Sequence, residues 1–560
     1  MEIKKKVHKK VKKHIDNLFK AYYNGVKQIV EPFKNLAEFR NGFSNPVEHY
    51  PFLILRRKSM LTKTHATFFI IGFMLYVLLM IVVGIICSKG KSKGKDYLTG
   101  GGKMPMYLIF ATMGATLIGT GSSIGATANG FKNGFGGSAY GMGAALGILA
   151  LVLVAKKSKL RAKNLLTMAE EAQFHYNGNK MVKAVMSFMM YIIEVVWLGN
   201  HINGGATYLS YVTGMDLTTS KLVAVLAFGI YVIIGGYLAV VWTDLIQLTV
   251  LVIGFIAITA IAIPMAGGWG TISGTITEAG KAGNLSFYGV ESMGGMALFS
   301  LMFSIAIPCL GTPTYRMRIY TAKDDKTAIR ALSLSGWLLL IFSLLPAIIG
   351  MAAFTIATNT GAQAVLEQPD FAFTYIATVV LGPVLGLMFM ISGLSATMSS
   401  GDSDAIAGVT ILIQDIYPIL TGRQLEDEKV GKYSRVATVA TLLLAFFATL
   451  FAKDVMSYIS NVIGSIIPGV SIAMLLGACW KRATWQGGIA SVGVGTLFGV
   501  LYLAVPAFSG AVAGIFTGPA IPATLVALAA EVIVSLCTKK EEMSEEERLA
   551  LVVESRGAVK

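Results

Sequence analysis

Apolar runs about 20 residues long alternate with short charged or glycine-rich breaks along most of this chain. Between Ala66 and Cys87 there are 22 consecutive positions without a charged residue. At about 1.5 Å per residue, a helix of that length crosses a hydrocarbon layer of about 30 Å. Similar windows recur, separated by glycine, proline and polar clusters such as Gly267–Gly270 and Ala504–Gly510. The pattern predicts about thirteen spans, at 66–87, 106–128, 136–155, 181–212, 221–240, 243–265, 293–311, 331–356, 376–413, 434–452, 455–480, 485–505 and 519–537. The 376–413 stretch is long enough for a tilted or extended helix.

Composition points the same way. The chain is 54% hydrophobic and 14% charged, whereas soluble domains carry about a quarter charged residues. Its mean hydropathy is +0.65. Most of the 61 glycines fall inside the apolar windows, where small residues let helices approach closely in lipid. The lipid bilayer is therefore the first partner the sequence implies.

A net charge of +16 suggests nucleic acid only until the charges are placed. Lys156, Lys157, Lys159, Arg161 and Lys163 follow the third span, and Arg316, Arg318, Lys323, Lys326 and Arg330 follow the seventh. Lys89 to Lys103, Arg423 to Arg435, Lys481 with Arg482, and Lys539 with Lys540 occupy further alternate loops. The opposite loops hold little beyond Lys132, Lys221, Lys281 and Lys453. The positive-inside rule then puts the basic loops and the carboxyl terminus in the cytoplasm, and starts the first span outside. No nucleic-acid partner is implied, and a plasma-membrane location is expected.

Three segments follow: a basic tail at 1–65, a transmembrane domain at 66–540, and an acidic tail at 541–560. The basic tail (Lys4, Lys5, Lys6, Lys9, Lys10, Lys12, Lys13) conflicts with an outside start. It lies outside, or along a leaflet as a basic amphipathic segment, or translation starts at Met60. No apolar h-region follows its basic residues within signal-peptide range. The acidic tail (Glu541 to Glu547) reads as a solvated short helix or a disordered end.

Several chemistries are missing. Cys87, Cys309, Cys479 and Cys537 form no CxxC, the six histidines form no HExxH, and there is no GxxxxGK[ST]. No cofactor is implied, and nothing points to an enzyme or to a chain that hydrolyses ATP. A channel would need a symmetric pore motif or charged rings repeated between subunits.

Ionisable residues within spans are costly and mark sites. The sharpest cluster is Ser395-Ala-Thr397-Met-Ser399-Ser400-Gly-Asp402-Ser403-Asp404. Ser399, Asp402 and Ser403 share a helical face, offering only oxygen to a dehydrated alkali cation. The alternative is that the serines bond back to carbonyls one turn earlier and the aspartates meet a lysine. Asp244 lies in Gly235-Gly-Tyr-Leu-Ala-Val-Val-Trp-Thr-Asp244-Leu-Ile-Gln247, where a span begins; a helix N-cap explains it alone but not the whole motif. The second span, Ala111 to Gly125, is rich enough in glycine and hydroxyls to unwind, exposing carbonyls for a cation. Gly119-x-Gly121 and Gly141-x-Gly143 are helix-packing glycines, since no strand precedes either.

The GGYLAVVWTDLIQ, SATMSSGDSDAIAGVTILIQDIY and DYLTGGGKMP stretches resemble the sodium:solute symporter family over roughly 66–540. The YRMRIYTAKDDKTAIRA segment fits more loosely, with Met317 where the family has glutamine. The resemblance implies an all-α fold of thirteen helices, with a five-plus-five inverted-repeat core (about 106–265 and 293–480), one leading helix and two trailing ones. It implies a coupling sodium held by carbonyls of Ala115, Ile118 and Ala396 and hydroxyls of Ser399 and Ser400. A second cation site, found in some members, falls on Asp244, Asp402 and Ser403. Leu117 stands where some members carry an acidic or polar residue. Candidate solute contacts are Gly119, Thr120, Ser122, Glu194, Trp197, Asn200, His201 and Asn203. Glu194 could instead pair with a neighbouring helix, and His201 could be an interhelical hydrogen-bonder. The expected activity is sodium-coupled symport of a small polar organic solute; proton coupling through Asp244 and Asp402 is the alternative.

Overall fold

The computed structural model describes residues 63–88, 95–450 and 454–557. The basic segment up to residue 62 lies outside them, as do Lys89, Lys91, Lys93 and Lys453. The described helices belong to one unit, Arg57–Lys560. In chain order they include α1 (Lys63–Ser88), α2 (Met106–Leu117), α3 (Ala126–Asn133), α4 (Ala139–Ser158), α5 (Met168–His175), α6 (Lys180–Thr213) and α7 (Leu217–Met265). There follow α8 (Gly295–Ala306), α9 (Pro313–Thr321), α10 (Asp325–Phe342), α11 (Leu344–Thr360), α12 (Pro383–Ile411), α13 (Asp427–Thr449), α14 (Pro468–Cys479), α15 (Trp485–Ala504), α16 (Ala520–Cys537) and α17 (Glu545–Glu554).

Polar side chains start these helices and glycines stop them. Asn179 accepts hydrogen bonds from the amides of Met181 and Val182 at the start of α6, and Asp324 accepts from Thr327 at the start of α10. α6 ends at Gly214, whose φ of 73° suits a residue without Cβ.

Among the described residues, nine helices are long and apolar enough to cross a membrane, or eleven if two bent pairs each count once. Met106–Leu117, Leu217–Ala227 and Pro506–Phe516 are shorter apolar helices. Helix length and composition thus stop short of thirteen, because spans broken in mid-membrane leave individually short pieces. Leu75, Leu78 and Leu79 on α1 and Val436, Leu443 and Phe447 on α13 are exposed, as helices facing hydrocarbon require.

The first helix of each expected repeat is a broken one. α2 stops at Ile118 (φ −88°, ψ 61°), and the chain passes through a π-helical turn, Gly121–Gly125, into α3. Ser122 and Ser123 donate to the carbonyls of Leu117 and Gly119, satisfying groups that the break would leave bare. In the second half, Pro308 and Pro313 flank an extended Thr312, and the chain bends by 44° there. Each proline removes a backbone donor, so the helix cannot run through.

Close backbone approach brings the halves together. A Cβ on Gly130 of α3 would lie 2.7 Å from the Ala347 carbonyl oxygen of α11, and Gly143 of α4 abuts the backbone of Met302 in α8. The packing role expected of these spans' glycines is what the structure shows at Gly143. At the centre runs α12, packed on α2, α6 and α7, with every residue from Ser392 to Ile411 buried.

The acidic tail forms α17, started by a capping box of Ser544 and Glu547. Of the two readings it matches the short helix, but it is docked. Val552 is fully buried, Lys163 pairs with Glu545 at 2.6 Å, and Arg556 pairs with Glu170 of α5 at 2.8 Å.

Candidate functional site at the two helix breaks

The serine face of α12 meets the first break. Ser399 Oγ donates to the Ala115 carbonyl at 3.0 Å and lies 3.3 Å from that of Ala396. Ser400 Oγ donates to the Thr116 carbonyl at 2.9 Å and lies 3.2 Å from that of Ala396. Four of the five expected sodium ligands, Ala115, Ala396, Ser399 and Ser400, thus converge as oxygen alone. Ile118, the fifth, is the residue at which α2 breaks. The alternative in which the serines only bond back within α12 is incomplete, since both also reach α2.

Beside this cluster lies a second group. The rings of Tyr140, Trp197 and Tyr315, with His201, Asp404 and Gly119, line a cavity of about 10 Å³, space for about one water-sized group. Trp197 stacks on His201 at 6.3 Å between ring centroids and donates through Nε1 to Thr312 at the second break. His201 Nδ1 lies 2.9 Å from Thr120 Oγ1, and Nε2 lies 3.2 Å from Asp404 Oδ2. A Thr120 hydroxyl donating to Nδ1 leaves the Nε2 hydrogen for Asp404. Glu194 accepts from the Thr314 amide at 2.8 Å and from the Thr314 hydroxyl. It therefore faces the N-terminus of α9. The same hydroxyl lies 2.9 Å from Asp404 Oδ1.

Other expected solute residues sit further back. Thr120 backs His201, and Ser122 closes the helix break. Asn200 is fully buried, with no hydrogen-bond partner for its amide among the described residues; nor has Asn203 Oδ1 one. Gly119 lies between the two groups. A Cβ there would come 2.5 Å from Ser400 Oγ and 2.8 Å from His201 Cε1.

Asp244 is not at a helix start. The break between the fifth and sixth expected spans falls at Gly236 (φ 60°, ψ −166°), where a side chain would run into Tyr97. Asp244 lies deeper in the helix and accepts from Thr112 at 2.5 Å, while Thr243 bonds back to Ala239. The N-cap reading of Asp244 therefore falls. Ser403 Oγ is 3.5 Å from Asp244 Oδ2; Asp402 is buried one residue earlier on α12. A guanidinium occupies the same spot. Arg318 Nη2 lies within hydrogen-bond distance of the hydroxyls of Ser403 (2.6 Å), Thr116 (2.8 Å) and Thr112 (2.9 Å), which share its two hydrogens, and 4.0 Å from Asp244 Oδ2.

The profile of the sodium:solute symporter family matches residues 97–495. The chain belongs to that family. This symporter is 25% identical over 454 residues to the sodium/pantothenate symporter of Haemophilus influenzae, covering 79% of this chain and 92% of that one. It is 26% identical over 460 residues to the sodium/glucose cotransporter of Vibrio parahaemolyticus (76% and 82%), and 23% identical over 481 residues to the sodium/proline symporter of Staphylococcus aureus (83% and 92%). A solved Na+-coupled sialic acid symporter in a substrate-bound outward-open state shares the fold, with a TM-score of 0.68 at 17% identity over 84% of this chain and 98% of that one. Membership makes the protein a sodium-coupled membrane transporter, not an enzyme.

In this symporter Arg316 and Arg318, expected in a basic loop, are fully buried. The broken span continues past the bend as α9 and carries both arginines inside. Arg316 pairs with Glu171 of α5, which also accepts from the Tyr320 hydroxyl. Burial alone would raise the Glu171 carboxyl, but Arg316, His175 and Tyr320 outweigh it and hold it down at about 2. Thr112, Thr314, Arg318, Asp404, Tyr140 and Tyr315 are site residues that sequence reasoning did not select. The signal for Arg318 was the absence of any glycine or serine spacer between Pro313 and the arginines.

Proposed function

We propose that this symporter couples sodium entry to uptake of a small polar organic solute across the plasma membrane by alternating access. The observation that carries the reading is the convergence of Ser399 and Ser400 on the Ala115, Thr116 and Ala396 carbonyls at the break of α2. When sodium binds, the two hydroxyls would turn their lone pairs to the ion, joined by the Ala115, Ile118 and Ala396 carbonyls. Oxygen-only ligation suits a hard alkali cation. Binding there ties α2 to α12, and solute binding beside Gly119 is linked to it reciprocally.

The relatives named for pantothenate, glucose and proline support an organic solute without choosing one. Arg318 supports a single sodium per cycle, since its guanidinium already neutralises the Asp244–Ser403 position. Uptake into proteoliposomes under separate sodium and proton gradients tests the reading. Accumulation is expected with a sodium gradient alone, and a requirement for protons alone would overturn it.

A further inference from the structure

α5 is only eight residues long, and a helix of about two turns is marginal in water without partners. Its place is set by what grips it. At one end Thr167 donates to Asp415 at 2.9 Å, and at the other Tyr176 donates to Glu531 at 2.6 Å. Between these anchors stand two consecutive glutamates, about 100° apart around the helix. Glu171 turns to Arg316 and Tyr320 of α9. Glu170 turns to the carboxyl-terminal segment, where Arg556 meets its two oxygens at 2.8 Å each.

Other residues of that segment bear on the same helix and its neighbours. Ser555 Oγ lies 2.8 Å from Gln173 Oε1 and accepts from Lys183 of α6 at 3.2 Å. Arg548 stands over the Phe174 ring at 4.9 Å. Val552 of α17 is fully buried. A Cβ on Gly557 would come 3.1 Å from the Gly422 carbonyl oxygen, beyond α12. The segment thus ties α5 to the start of α6 and to the turn after α12. A solvated tail would bury no valine and engage no bidentate arginine.

We propose that α17 is a built-in brake, which holds α5 in place and so keeps shut the end of the bundle that carries the carboxyl terminus. This rests on the alternating-access reading above and adds the element that sets how readily one side opens. With α17 docked, α5 cannot follow α9 as it swings away, so opening must break the buried Arg316–Glu171 pair. With α17 released, α5 is held only at its ends and tilts with α9, and the pair need not break. Loosening α17 therefore shifts the population toward the state open at that end.

The test is labelling of Cys309 in the full chain in membrane vesicles, with Cys87, Cys479 and Cys537 replaced by serine. The probe is a membrane-impermeant maleimide offered to one face at a time. Arg556→Gln and Val552→Asp are each expected to speed labelling about three-fold or more from the face that carries the carboxyl terminus. That is the scale of one lost charge-assisted contact at a partly exposed pair. Arg556→Lys, which keeps the charge, should fall between Arg556→Gln and the parent. In Glu171→Gln, where the pair is already gone, Arg556→Gln should add little, since both act on one contact.

Parent rates in both α17 variants would make the helix a passenger and overturn the proposal. So would an equal rise from both faces, which reports general loosening, or full additivity with Glu171→Gln. Alternating access is read separately, in the parent. There sodium should change labelling from the two faces in opposite senses, and a parent without that reciprocity would sink the reading on which the brake rests.

Discussion

Arg318 Nη2 lies 2.6 Å from Ser403 Oγ, in the midst of a face that the sequence marks for a cation. The guanidinium is a cation tethered to α9, so it moves with the protein and is never released. On the reading proposed above, the guanidinium would take the place of a second dissociable ion.

Removing the tether exposes that difference. In Arg318→Gln, Asp244 loses its charge partner, at a cost of about 3–5 kcal/mol for a buried pair broken on one side. Arg318→Gln/Asp244→Asn should recover much of the lost protein. In whatever Arg318→Gln reaches the membrane, uptake is expected to depend more steeply on sodium than in the parent. Equal steepness would show that Arg318 does not substitute for an ion.

The serine pair predicts an effect on affinity rather than abundance. Ser399→Ala and Ser400→Ala each delete one neutral ligand to a cation, about 1.5–3 kcal/mol for a contact to a charged group. Half-saturating sodium at saturating solute should rise by about ten-fold or more, with membrane levels near the parent's. Unchanged half-saturation in both variants would remove the site.

A latch closes the end of the bundle that carries the carboxyl terminus. Glu171→Gln leaves Arg316 buried without its carboxylate, which should weaken the hold of α5 on α9. Cys309, buried beside the second break with Sγ 3.8 Å from the Ala144 carbonyl, is a ready reporter. With the other cysteines replaced by serine, a membrane-permeant maleimide should label Cys309 faster in Glu171→Gln. The Glu171 carboxyl is depressed to about 2, so its contribution is complete above about pH 4.3 and is lost as pH falls through 2. Labelling in the parent, corrected for the pH dependence of the thiol's own reactivity, should therefore be flat across neutral pH.

Asp370 behaves in the opposite sense. Burial, with the Asp454 charge adding and Lys132 opposing, pushes its carboxyl up to about 6. It accepts from the Val455 amide at 3.4 Å. An acid raised on folding stabilises most below its unfolded value, and that contribution fades as pH rises through 6. Hydrogen exchange around residues 369–372 and 455–458, corrected for intrinsic rates, should speed up between pH 5 and about 7.5. Asp370→Asn should abolish the step; a step that persists would assign it elsewhere.

Much of this was legible in the chain because membrane helices must satisfy their own backbone and present apolar surface. That is why 485–505 and 519–537 correspond to Trp485–Ala504 and Ala520–Cys537. Ser399 and Ser400 were legible because hydroxyls clustered next to aspartates are costly in lipid. The interior of α9 was not. Charge patterning assigns arginines to loops, and only the fold shows that a proline-bent span turns Arg316 and Arg318 inward onto Glu171 and Ser403. Asp404 stands in the same cluster, but its partners, His201 and Thr314, come from spans far away in sequence, so nothing local marks it.

Gly119 separates Ser400 from His201 by the width of a bare peptide unit. On the proposed placement, ion and solute would share a wall, and news of one need not travel through a relay of side chains to reach the other. Tight stoichiometry in such an arrangement is a property of a few ångströms of main chain. Substitutions in the outer helices can then change how fast the cycle turns without changing how many ions accompany each solute. At residue 119 even one methyl group would press on both occupants and let the transporter slip.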